Sequence, residues 1–164
     1  MRCFALLALA CAAALDTSSA LVEAGTKTTV TVWANAYDKR SSSCSPSGCK
    51  PSNVRDGSKD ANSRWSCKYD LKKKDCELCL TFKDYQDINR IRVAFHKGNE
   101  RKRSFYVNLY GEYDDDEYSF TSSGRTLGFE NFYLDSEATE EMCITAKDLD
   151  NNEWLSITEV KVMV

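Results

Sequence analysis

The sequence holds a single histidine, His96, and that scarcity removes several chemistries together. Zinc sites draw on paired cysteine motifs or on several histidines, and no second imidazole is available to complete a metal triad. No Gly-x-Ser-x-Gly elbow and no glycine-rich phosphate loop occurs, so neither an activated serine nor a nucleotide cradle is signalled. Apolar stretches are short. Residues 3–15 are apolar but fall short of the roughly 20 residues that cross a bilayer, and no later stretch comes nearer. A transmembrane segment is therefore not expected. The formal net charge of −3 argues against nucleic acid as a partner, because such binders are strongly basic. Apolar residues at three-four spacing, the mark of an amphipathic helix, form no sustained stripe anywhere.

What is present starts with a leader. Arg2, the apolar stretch and the small residues Ser18, Ser19 and Ala20 form the three zones of a secretory signal. Residues 1–20 read as a signal peptide, cleaved near Ala20 or Ala24, and residues 21–164 as one domain. Six cysteines remain in the mature chain: Cys44, Cys49, Cys67, Cys76, Cys79 and Cys143. An even count in a secreted chain reads as a disulfide framework. Cys76-Glu77-Leu78-Cys79 also has the spacing of a redox or zinc pair, but it sits in strand-like sequence rather than at a helix start. Spacing alone favours Cys44 with Cys49, Cys67 with Cys76, and Cys79 with Cys143.

Period-two alternation recurs along the rest of the chain. Val30 and Val32; Leu78, Leu80 and Phe82; Ile91, Val93 and Phe95; Phe105, Val107 and Leu109; and Val160, Val162 and Val164 each share one face of a strand. Turn-forming residues at 41–47, 56–58, 97–99 and 122–124 separate them. Short strands with no interleaved helices predict an all-β, antiparallel sandwich or barrel. The acidic run 114–117 and the basic runs 72–74 and 97–103 read first as solvated loop tips.

Five motifs in order extend this reading. Asn53-Val54-Arg55-Asp56-Gly57 leads into Ser63-Arg64-Trp65; residues 88–95 form a core strand; His96-Lys97-Gly98-Asn99-Glu100-Arg101 is a basic turn; Ser123-Gly124-Arg125-Thr126 is a second turn; and Asn152-Glu153-Trp154-Leu155-Ser156-Ile157-Thr158-Glu159-Val160 closes the chain. Together they resemble discoidin domains, also called coagulation factor 5/8 type C domains, and within them the carbohydrate-binding modules attached to polysaccharide lyases. The resemblance spans nearly the whole mature chain and implies an eight-stranded, discoidin-like jelly roll whose loops at one end bind ligand. The six cysteines are no part of the general pattern.

Two constellations could carry function. Asp56, Ser58, Asp60, Asn62 and Ser63 place oxygen donors along one tight loop, the ligand chemistry of a hard cation. The resemblance implies that such a loop holds a structural calcium ion together with a glutamate that matches Glu159. Strand parity turns Glu159 away from the face of Val160. The plainer alternative is that Asp56 and Ser58 only stabilise their own turn. The second constellation is the basic turn, whose cations can grip carboxylates or sulfates. With the polar and aromatic contacts that the resemblance implies, the candidate carbohydrate-binding residues are Arg64, His96, Lys97, Glu100, Arg101, Arg103, Asn152 and Trp154, with Tyr69 as another platform. Trp65 and Trp154 flank strands and read first as core residues, given the area an indole buries, and second as platforms.

The expected function is a secreted, non-enzymatic carbohydrate-binding module or lectin, with a polysaccharide or glycan, anionic in character, as partner and calcium as a structural ion. A protein- or lipid-binding adhesion domain is the second reading, and a small polysaccharide lyase or hydrolase the third.

Overall fold

The structure, a computed structural model, describes residues 30–39, 43–44, 48–70, 76–147 and 153–164. The expected signal peptide and Asn152 lie outside these residues. The elements are β1 (Val30–Ala34), a 3-10 turn η1 (Pro51–Arg55), β2 (Trp65–Lys68), β3 (Glu77–Phe95), β4 (Ser104–Gly111), β5 (Asp115–Thr121), β6 (Phe129–Lys147) and β7 (Trp154–Met163). Every pairing is antiparallel.

The described residues hold seven strands, and two of these serve twice. β3 and β6 are each 19 residues long and pair with one another, with register shifts between Thr81 and Arg90. Before the shifts β3 pairs β1, and after them it pairs β7. One layer therefore runs β2-β7-β3-β6 and the other β1-β3-β6-β4-β5. The sequence reads β3 as two strands because its alternation lapses across residues 83–87, where the chain passes from one layer to the other.

The alternating residues fill the space between the layers. Ile91, Val93 and Phe95 of β3, Leu155 and Ile157 of β7, and Trp65 of β2 come from the first layer. Leu78, Leu80, Phe105, Val107, Leu109, Met142 and Ile144 come from the second, all at most 1% exposed. Across the gap the Phe105 ring meets Phe132 edge-on at 5.0 Å and Phe95 at 5.5 Å. Trp65 is a core residue, with its indole N–H donating to the Ala36 carbonyl at 3.0 Å. Trp154 takes the opposite parity from Leu155 and Ile157 and is only half-buried.

All three disulfides favoured by spacing are formed: Cys44–Cys49, Cys67–Cys76 and Cys79–Cys143. The second ties β2 to the start of β3. The third joins Cα partners directly opposite each other in the β3–β6 ladder, fixing the register that sends Leu78, Leu80, Met142 and Ile144 inward.

The Asn53-Val54-Arg55-Asp56-Gly57 motif now has a local cause. Val54 is fully buried, and the Asn53 amide donates to the Gly48 and Arg64 carbonyls at 3.2 and 3.0 Å. Gly57 has φ +82°, a backbone region that a side chain strongly disfavours.

Candidate carbohydrate-binding end and cation loop

At the end of β3 the chain turns at Lys97, whose φ is 55°. The Gly98, Glu100 and Arg101 amides close this turn onto the Phe95 and Lys97 carbonyls. A second turn, residues 122–128, supports it. Ser122 and Arg103 exchange hydrogen bonds, Arg103 N donating to Ser122 Oγ at 2.8 Å and Ser122 N to the Arg103 carbonyl at 2.9 Å. A β-carbon at Gly98 would stand 2.5 Å from the Thr126 carbonyl oxygen, so only glycine fits there. The Ser-Gly-x-Thr motif is thus the buttress of the basic turn.

The turn gathers positive charge around one imidazole. Burial, then the charges of Arg64, Arg101 and Lys97, push His96 down to about 4, with Glu100 opposing. The two neighbouring arginines differ in how their donors are used. Arg64 is 8% exposed and donates from Nε to Ser66 Oγ, from Nη1 to the Ser43 and Ala61 carbonyls, and from Nη2 to Ser43 Oγ. That engages four of its five N–H groups. Arg101 makes no side-chain hydrogen bond among the described residues, so its fork is available. Arg103 is lowered by burial and by Arg101, with Glu153 opposing, and its Nη1 donates to the Lys102 carbonyl. Lys97 and Glu100 pair with each other at 3.3 Å.

Arg64, His96, Lys97, Glu100, Arg101 and Arg103 therefore converge at one end of the sandwich. Trp154 follows Glu153 at the same end. Tyr69 instead packs against the core.

The depressed His96 has a stability consequence. The unfolded chain takes up the imidazole proton near pH 6.5 and the folded chain only near 4, so within that window the unfolded state binds more protons. Stability should fall as pH drops from about 6.5 to 4, by about 1 to 2 kcal/mol once solvent screening of this half-buried group is allowed for. Thermal melts of the wild type and His96→Gln across that window check this. The variant should show the smaller acid loss.

The other constellation lies beside β7. Asp56 Oδ1 accepts the Ser58 N–H at 2.8 Å, Asp56 Oδ2 accepts the Ser63 hydroxyl, and Ser58 Oγ accepts the Asp60 N–H at 3.1 Å. The turn-stabilising role of Asp56 and Ser58 is thus present. Glu159 faces this loop, opposite in parity to Val160 and only 5% exposed, and its Oε2 accepts the Gly57 N–H at 3.3 Å. Burial raises Glu159 to about 7, with Gly57 opposing and Asp56 adding to the rise. The donor set, the carboxylates of Asp56, Asp60 and Glu159 with the hydroxyls of Ser58 and Ser63, suits a hard cation. Glu77, Cys79 and Cys143 also cluster, but both sulfurs are spent in a disulfide.

No protein-family model matches the chain, and no curated protein matches it. Solved structures do. The family 32 carbohydrate-binding module of AlyQ, in complex with 4,5-unsaturated mannuronic acid, is 27% identical with a TM-score of 0.65, covering 81% of this chain and 93% of that one. A truncated AlyQ carrying that module and an alginate lyase domain is 25% identical at TM-score 0.65, over 82% of this chain and 33% of that one. An F5/8 type C domain from Bacteroides fragilis has a TM-score of 0.66 at 12% identity, over 82% and 90% of the two chains. The chain has the discoidin, F5/8 type C fold, in the form seen in carbohydrate-binding modules attached to lyases. No helix among the described residues is long and apolar enough to cross a membrane.

Proposed function

We propose that this chain is a secreted, non-catalytic carbohydrate-binding module whose ligand end is the basic turn 96–103 and whose ligands are uronic-acid polysaccharides. The observation that carries the proposal is the gathering of Arg64, Lys97 and Arg101 on His96, with the Arg101 fork left available. A planar guanidinium matches a sugar carboxylate bidentately. The module of AlyQ, similar to this chain, is bound to an unsaturated uronic acid. Three disulfides and the leader-like residues 1–20 support secretion.

Affinity electrophoresis in gels containing alginate, polygalacturonate or a neutral galactan tests this reading. Retardation by the acidic gels, relieved by salt, is expected. Retardation by galactan alone would remove the acidic specificity. Leu127 stands exposed on the buttressing turn, and lipid adhesion is the alternative it favours; liposome pelleting without glycan retention would put that reading first.

The same proposal gives Asp56, Ser58, Asp60, Ser63 and Glu159 to a structural calcium ion, which would neutralise the Asp56 and Glu159 carboxylates and hold the loop against β7. Saturating calcium should stabilise the protein by about 2.7 kcal/mol at one hundred times the dissociation constant. Differential scanning calorimetry with calcium and with chelator reads this directly. Glu159→Gln should fold and lose the calcium response, and a melt indifferent to calcium would leave only the turn-stabilising role.

A further inference from the structure

The outward face of the β7-β3-β6 layer carries cations that the binding end does not use. Arg90 and Arg92 alternate with the buried Ile91 and Val93 and so point away from the core. The ladder sets Arg92 beside Lys161 on one side and Asn131 on the other, and Arg90 beside Met163 and Tyr133. Phe129 stands one row further on. Three cations lie over its ring: Arg92 at 4.8 Å, Lys161 at 5.3 Å and Lys59 at 5.4 Å from the centroid. Arg90 lies 5.9 Å from the Tyr133 centroid, and that ring is 68% exposed.

Lys161 lies in the field of the Glu159 carboxylate, but no salt bridge neutralises any of these cations among the described residues. The Nε atoms of Arg90 and Arg92 are buried without an acceptor. Glu159, opposite Ala94, is turned into the Gly57 loop, and Glu130, opposite Val93 and so of the other parity, accepts the Ser123 N–H through Oε2 and keeps Oε1 buried. Cation–π contact at exposed sites is weak, while like charges crowded onto one ring repel. A polyanion laid across the face would supply the missing countercharge. Tyr133 would offer an aromatic platform of the kind that lines sugar sites.

We propose that Lys59, Arg92, Phe129 and Lys161, with Arg90 and Tyr133, form a second binding surface for the same acidic polysaccharide, separate from the turn at 96–103. Along β3 the second surface lies about 7 Å from His96 at the Ala94 row, where Phe129 sits, and about 13 Å at Arg92, so one glycan chain can engage both. The proposal rests on the functional reading above in its choice of ligand. Two sites on one chain raise the effective concentration of the second contact.

The test compares an alginate trisaccharide with an alginate decasaccharide by calorimetry and by amide chemical shifts. The wild type should bind the decasaccharide on the order of 100-fold more tightly, and only the longer chain should shift Arg92, Phe129 and Lys161. The triple variant Lys59→Gln, Arg92→Gln, Lys161→Gln should keep trisaccharide affinity and lose most of the length-dependent gain. If it fails to fold, Lys161→Gln alone, half-buried on the outward side of β7, should lower the gain in proportion. Decasaccharide shifts confined to residues 96–103, equal affinity for the two lengths, or no shift anywhere would each overturn the second surface. Trisaccharide shifts at the turn, present or absent, judge the functional reading separately.

Discussion

Replacing Cys79 and Cys143 together by alanine should destabilise the protein by about 4 kcal/mol, the largest loss expected from removing one crosslink. The bond closes a loop with a sequence separation of 64, and in the chain-entropy description the restriction on the unfolded state grows with loop length. The same reasoning gives about 2 kcal/mol for Cys44–Cys49, whose separation is 5. Denaturant titration of the two paired variants reads the difference. Equal losses would mean that native packing around each bridge, rather than loop closure, sets its contribution. The position of Cys79–Cys143 adds to its weight, because it holds opposite residues of the ladder at the heart of the β1-β3-β6-β4-β5 layer.

Arg101→Ala should weaken uronate binding by about 10- to 100-fold, the loss of a charge-assisted hydrogen-bonded contact of 1.5–3 kcal/mol. Stability should stay within about 0.5 kcal/mol of wild type, because the turn is closed by main-chain bonds that the substitution leaves in place. Removing the charge also relieves His96, Arg64 and Arg103 of a repulsive neighbour. Arg101→Lys should fall between the two, keeping charge and losing the fork. Calorimetric titration with a uronate oligosaccharide decides it, and an undiminished affinity would move the ligand away from this turn.

Much of the sandwich was legible in the sequence because its core strands alternate strictly. β1, β4 and both halves of β3 show themselves by Val, Leu, Ile and Phe at every second position. β6 does not, although it is the partner of both β3 and β4. Its inward residues Phe132 and Leu134 are separated from Met142, Ile144 and Ala146 by a polar passage between layers, residues 135–141, and no single window shows the period. β5 is hidden differently: its inward Tyr118 and Phe120 follow an acidic run that reads as a loop tip.

The candidate site was legible in its residues but not in their division of labour. Arg64 and Arg101 are alike in sequence, and nothing local tells that one guanidinium is spent on Ser43, Ala61 and Ser66 while the other is not. The countercharge-poor face of β3 was also invisible, because Lys59, Arg92, Phe129 and Lys161 meet only once four distant segments are folded together. Trp154 escaped the core by a parity that its own motif sets, since Leu155 and Ile157 already claim the inward positions.

The acidic run gains a meaning from where β5 lies. Among the described residues β5 is the last strand of its layer and pairs only β4, so its far side presents a strand edge. Asp115, Asp116 and Glu117 stand at the start of that edge. A second copy of β5 laid alongside in parallel would set its own Asp115, Asp116 and Glu117 beside these, and like charges set side by side repel. Charge at the start of this edge thus disfavours its extension in that register, where no further strand among the described residues covers it.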